Sequence, residues 1–303
     1  MLRRIRPYLG IFLTTAFLGL MLYAVDLEAS LNALMSADPF ILVAALISAN
    51  IPLLVYAAVW RRVLSITGLE LDYFTTLRLV LANTFVNNIT PFGNIGGEAA
   101  STYILSKISG KSYGQSFTAV FTASIINFSP LITFLLFGGL YTGLYDILIL
   151  PVLALTLYVL IKNTELSIPV PASLEDFSKD FSASFDTVKN SGKSLWSLIS
   201  VTHLAFLFDV ISIFLIGLSL GLDFYSASLF FVVPLARAAN YVPTPGGTGP
   251  YELALSGLLA YFFPVSFHEA VVVAIIYRVL TYYTGILVGY FAINSFQIGE
   301  KGI

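Results

Sequence analysis

Pro243-Thr244-Pro245-Gly246-Gly247-Thr248-Gly249-Pro250-Tyr251-Glu252 decides how this chain folds. Apolar runs flank it, residues 225–242 before and 253–263 after. No continuous helix crosses it, because proline removes backbone donors and glycine loses too much entropy in a helix interior. The apolar flanks place the break at membrane depth, where irregular backbone survives only if buried in protein or facing a watery cavity. A weaker copy, Thr90-Pro91-Phe92-Gly93-Asn94-Ile95-Gly96-Gly97-Glu98, stands earlier. In both, a proline is followed seven positions on by a glutamate, Pro91 to Glu98 and Pro245 to Glu252. We read Pro91, Gly93, Gly96 and Gly97 as the tip of one helical hairpin. Pro243, Pro245, Gly246, Gly247 and Gly249 form the tip of a second. Together they frame one transport site.

The composition agrees. Of 303 residues, 57% are hydrophobic and only 11% charged, with a mean hydropathy of +0.88, which is an integral membrane protein and not a soluble domain. The net charge of -2 speaks against a nucleic-acid partner. With no cysteine, disulfides, thiolate metal sites and thiol nucleophiles are excluded, and two histidines are too few for a histidine metal cluster. No metal and no cofactor is expected. The phosphate-binding loop, the HExxH zinc motif and the nucleophile elbow are all missing, so the chain does not read as an enzyme.

Charge places the segments. Apolar runs at 8–25, 40–60, 117–140, 147–161, 195–220 and 270–293 read as full spans. The links after the first, third and fifth carry no Lys or Arg and are assigned outside; Arg61, Arg62, Lys107 and Lys111 are assigned inside. Residues 73–106 have basic flanks on both sides, so they form a re-entrant hairpin opening to the cytoplasm. Residues 225–263 form the opposite hairpin, opening outside. All Lys and Arg except Arg78, Arg237 and Arg278 then lie on cytoplasmic segments, which include both termini. The expected fold is an all-α integral membrane protein of about six full transmembrane helices plus two re-entrant helical hairpins. It is one polytopic membrane domain over 1–303, with inverted-repeat units at about 40–140 and 195–293. An amphipathic connector over about 162–194, with Phe177, Phe181, Phe185 and Val188 on one face, lies on the membrane surface or on the protein itself.

Charges inside spans mark pathways or ion pairs. Arg237 and Arg278 are the sharpest candidates for substrate contact, because a guanidinium fork suits phosphate; the alternative is a structural pair with Glu252 or Asp209. Glu98 and Glu252 open the second arms of the hairpins. Each is either a helix N-terminal carboxylate favoured by the macrodipole or a group lining the cavity. Asn88 and Asn240, with Asn83 and Asn87, precede the breaks and could satisfy backbone or bind a headgroup. Arg78 reads as snorkelling to the interface, and His203 as a satisfied core histidine. Gly285 and Gly289 make a Gly-x-x-x-Gly face for close packing within the subunit or in a homodimer.

Three segments carry a family likeness: Pro91-Phe92-Gly93-Asn94-Ile95-Gly96-Gly97-Glu98-Ala99 running on to Tyr103-Ile104-Leu105-Ser106-Lys107, the whole Pro243–Glu252 break, and Tyr277-Arg278. In these the chain resembles the flippase-like membrane domain (transmembrane region) of the lysylphosphatidylglycerol synthase family. Pro250, after Gly249, departs from the pattern. The resemblance implies the translocating half alone: a cell-membrane flippase for a phosphate-bearing, aminoacylated or glycosylated lipid. Its expected partners are a membrane phospholipid or glycolipid and a separate lipid-modifying transferase. The rival readings are a proton-coupled transporter of a small solute, working through Glu98, Glu252 or Asp209, and an accessory subunit of a lipid-modifying enzyme.

Overall fold

The computed structural model describes residues 34–91, 95–143 and 175–296, together with Glu28 and Asn32. The expected spans at 8–25 and 147–161, the tip residues 92–94 with Gly93, and both chain ends lie outside the described residues. Within them the chain is helical and contains no strand.

Helix α1 (Pro39–Ile66) starts at Asp38, whose carboxylate accepts from the N–H groups of Phe40 and Ile41, with Pro39 at the first helical position where its missing donor costs nothing. The remaining helices are α2 (Tyr73–Ile89), α3 (Ile95–Ser109), α4 (Tyr113–Thr142), α5 (Glu175–Asn190), α6 (Gly192–Ser219), α7 (Leu229–Ala238), α8 (Pro250–Phe262), α9 (Phe267–Arg278) and α10 (Thr284–Asn294). A π-helical turn, Val279–Tyr283, joins α9 to α10, so the two make one broken rod. Among the described residues, four helices are long and apolar enough to cross a bilayer: α1, α4, α6 and the α9–α10 rod. These match four of the expected spans, with ends that differ by one to six residues. Large side chains such as Phe40, Phe137, Trp196 and Leu287 point outward, as lipid-facing surfaces require.

The packing is reciprocal. Helices α1 and α6 run antiparallel: Asp38 N–H donates to Ser219 O, and Ser48 Oγ donates to Phe208 O, so numbers fall on one as they rise on the other. Helix α4 packs on α7, and α10 packs on α2. Both contacts depend on a glycine. A Cβ on Gly138 of α4 would lie 2.5 Å from Phe231 Cβ, and one on Gly289 of α10 would lie 2.5 Å from Leu81 O. The Gly285/Gly289 face is thereby consumed inside the subunit, against Thr84 and Phe85. Two apolar cores result. One joins Trp60, Leu64, Leu79, Leu105 and Val120, and the other Phe206, Ile213, Val232, Leu255 and Val273.

The amphipathic expectation resolves onto the protein. Phe177 and Phe181 of α5 meet Phe117 of α4 at ring-centroid distances of 5.6 and 6.1 Å, and Gly114 gives the α5 backbone room to approach. Arg78 is exposed, donates to Thr75 Oγ1 and lies over the Phe296 ring. His203 is satisfied by Ile199 O and Thr133 Oγ1.

Candidate functional site

The second Pro/Gly break is a pair of tight turns between helices. After α7 comes a 3₁₀ turn, Ala239–Tyr241, and then a second, Pro245–Gly247. Gly246, Gly247 and Gly249 take φ of 55°, 69° and 92°, the left-handed region that a side chain disfavours. A Cβ on Gly246 would also strike the Tyr282 ring. Pro250 fits as the first residue of α8, where no backbone donor is needed. Glu252 turns back, and its Oε2 accepts the Gly249 N–H at 2.6 Å. Glycine has no side chain to return the bond, so this is half a capping box.

The other Glu252 oxygen, Oε1, meets Arg278 Nε at 2.6 Å. Arg278 Nη2 donates to Gly246 O at 2.9 Å, and the guanidinium sits between the rings of Tyr251 and Tyr282, 4.5 and 4.8 Å from their centroids. One arginine thus holds the second tip, the α8 N-terminus and the α9–α10 rod together. The second pair is Arg237 Nη1 to Asp209 Oδ2 at 2.8 Å, with Tyr277 OH donating to Asp209 Oδ1 at 3.2 Å. Tyr251 and Tyr277 stack at 5.9 Å and so join the two pairs into one cluster. Asp209 and Arg278 lie near the middle of spans 28 residues long, where charges survive only when paired.

The end of α2 meets both the π turn and the second tip. Tyr282 OH donates to Asn88 O at 3.0 Å, Asn88 Nδ2 donates to Tyr282 O at 3.3 Å, and a Cβ on Gly246 would lie 3.1 Å from Asn88 O. Asn50 Nδ2 of α1 donates to Leu280 O, supplying a partner where the π turn departs from the α-helical ladder. Around the second tip, Asn240 Oδ1 and the hydroxyls of Thr244, Thr248 and Tyr251 are buried with no partner among the described residues, each normally a cost of about 1–3 kcal/mol.

At the first tip, Thr90 Oγ1 donates to Val86 O, and a Cβ on Gly96 would collide with it. Pro91 is half-buried. Gly97 N–H donates to Asn87 Oδ1 at 2.6 Å, and Asn87 Nδ2 donates to Asn83 Oδ1 at 3.0 Å. Glu98 does not repeat the role of Glu252. Its Oε1 accepts from Ser124 Oγ of α4 at 3.1 Å, and Oε2 has no partner among the described residues.

The lysylphosphatidylglycerol synthase transmembrane region matches this chain over residues 8–289, nearly its whole length. The chain belongs to that family. Within the lysylphosphatidylglycerol synthase transmembrane-region family, it is similar to three archaeal proteins named as UPF0104 membrane proteins. That of Pyrococcus horikoshii is 24% identical over 323 aligned residues, covering 94% of this chain and 95% of that protein. That of Methanocaldococcus jannaschii is 26% identical, with 91% and 90% covered. That of Archaeoglobus fulgidus is 25% identical, with 97% and 98% covered. This member is accordingly an integral membrane protein.

Of the candidates named from sequence, the fold gathers Arg237, Arg278, Glu252, Asp209, Asn88 and the second tip into one cluster, with Asn240 packed beneath Gly247. Glu98 stands apart on the first hairpin. Reading the sequence missed Tyr251, Tyr282, Asn50 and Ser124 as site residues. Asn50 and Ser124 carried a signal, since each is a polar residue in the middle of an apolar span. The tyrosines carried none, because tyrosine is common in membrane helices.

Proposed function

We propose that this chain is a lipid flippase that shelters a phosphate-bearing headgroup at the Arg237/Arg278 cluster while the acyl chains stay in the bilayer. The observation that carries the reading is a pair of embedded arginines, joined through stacked tyrosines at a helix break and bordered by hydroxyls with no protein partner. Arg278 offers phosphate a planar fork, and the hydroxyls of Thr244, Thr248 and Tyr251 offer donors that solvent does not reach. Glu252 and Asp209 hold the arginines when no headgroup is present and release them when one arrives.

A cavity of about 410 Å³ between α1, α2 and α10 supports a lipid over a small solute. It is apolar, lined by Ile47, Leu54, Leu77, Leu81 and Val288. Ile47, Leu54 and Val288 are exposed, as a groove open to acyl chains requires.

The reciprocal packing supports the inverted repeat. The last span of each unit, α4 or the α9–α10 rod, packs through a glycine on the first hairpin arm of the other, α7 or α2. On this reading the hairpins are re-entrant from opposite faces of the cell membrane, both termini are cytoplasmic, and access alternates as one unit tilts against the other. A separate transferase supplies the lipid when its headgroup is aminoacylated or glycosylated.

The test is reconstitution with fluorescent phosphatidylglycerol and dithionite quenching of the outer leaflet. The expected result is accelerated equilibration between leaflets, lost in Arg278→Ala and Glu252→Ala. Full transport by both variants would overturn the site; no transport of any anionic lipid by wild-type protein would overturn the function.

A further inference from the structure

Glu98 is the embedded acid that the headgroup cluster does not use, and it lacks what the other two possess. Asp209 and Glu252 each hold an arginine. Glu98 meets no cation among the described residues: Oε1 has only Ser124 Oγ, and Oε2 is buried and bare. Among the described residues, helices α2 and α4 are the elements that pack closely on α3. Helix α4 carries no Asp, Glu, Lys or Arg. The one charge on α2 is Arg78, which is exposed and engaged by Thr75 and Phe296. On α3 itself Lys107 lies in the last turn, over the Tyr103 ring. The tyrosines of α2 and α4, Tyr73, Tyr113 and Tyr141, sit at helix ends, and Tyr103 is largely exposed.

The groups facing this carboxylate suit a proton and not a metal ion. Hard cations need a shell of free oxygens. Asn83 and Asn87 approach Glu98, but the Asn87 oxygen is taken by Gly97 N–H and the Asn83 oxygen by Asn87 Nδ2. Asn83 Nδ2 remains, a donor without a partner on a residue that is 9% exposed, together with Ser101 Oγ, buried and unpartnered one turn along α3. Either protonation state can be served by these groups. The carboxylate can take the first turn of α3 and the amide donor. The neutral acid can donate its O–H to a serine hydroxyl, which accepts as readily as it gives. A lone buried carboxylate without either would be costly.

We propose that Glu98 is a reversible proton-binding site that couples headgroup translocation to the transmembrane proton gradient. The step is a single protonation of the carboxylate, with no other bond made or broken. Consecutive residues connect it to the cluster. Asn87 holds the Gly97 N–H beside Glu98, and Asn88 holds Tyr282, whose ring covers Arg278. A shift of the end of α2 on protonation is thereby felt at the arginine. Coupling rests on the flippase reading; the proton site does not.

Two measurements separate them. Infrared difference spectra of purified protein across a pH titration should show a carboxylic-acid carbonyl band in the wild type that is lost in Glu98→Gln and shifted in Ser124→Ala. Proteoliposomes carrying fluorescent phosphatidylglycerol, under a gradient of ~1 pH unit, should bias the probe between leaflets by up to about tenfold for one proton per cycle. Glu98→Gln should equilibrate the probe without bias. A wild type with no such band, a band unchanged in Glu98→Gln, or an unchanged gradient bias in that variant overturns the proposal. A Glu98-dependent band with no lipid movement supports the proton site and overturns the flippase.

Discussion

Replacing Arg278 with alanine strands Glu252, 7% exposed, with a charge and no cation. Removing one member of a buried pair costs about 3–5 kcal/mol, whereas replacing both with apolar residues of similar size is close to neutral. We therefore expect Arg278→Ala to lower the thermal unfolding midpoint in detergent sharply. The double variant Arg278→Met/Glu252→Leu should recover most of that loss yet remain inactive in the leaflet assay. Recovery of transport together with stability would mean that the pair only holds the fold. Arg278→Lys is not conservative either, because a single ammonium cannot reproduce the planar fork that meets Glu252 and Gly246 O while lying between two rings. Tyr277→Phe deletes one hydrogen bond to a charged group and leaves the Arg237–Asp209 pair in place. Its expected cost is about 1.5–3 kcal/mol in the same unfolding measurement.

Two glycines set how closely the helices approach. Gly138→Ala puts a methyl against Phe231, and Gly289→Ala puts one against Leu81 O and Phe85. Neither neighbour is the free end of a flexible side chain, so each change costs about 1–3 kcal/mol by overpacking. If the two contacts are equivalent halves of one design, both variants lose stability by similar amounts; a silent Gly289→Ala beside a damaging Gly138→Ala would break the equivalence. The π turn after Arg278 has an outside partner in Asn50. Asn50→Leu leaves a mid-span carbonyl without that partner, and we expect slower lipid equilibration with α1 itself still folded, read by circular dichroism.

At the scale of the whole chain, the absence of cysteine turns every introduced cysteine into a unique reporter of sidedness. Positions 70 and 111 flank the first hairpin, and 223 and 265 flank the second. With impermeant maleimide on intact cells, the first two should label only after permeabilisation and the second two before it. Labelling of 70 and 111 from opposite faces would show the first hairpin to be a full crossing and would remove the inverted repeat.

The apolar runs, the link charges and the Pro/Gly breaks were decided by sequence alone, because bilayer thickness and backbone hydrogen bonding constrain any chain that enters a membrane. That is why four spans, the second Pro/Gly interruption and the embedded arginines are legible in the sequence. Which acid each arginine takes was not legible, since Asp209 lies 28 positions before Arg237 and Glu252 lies 26 before Arg278, and only packing brings them together. The matching Pro-to-Glu spacing suggested two equivalent glutamates. Tertiary structure separated them by placing an arginine beside one and a serine hydroxyl beside the other. Partner choice for a buried charge depends on what the fold brings within hydrogen-bond reach, and local sequence holds no record of it.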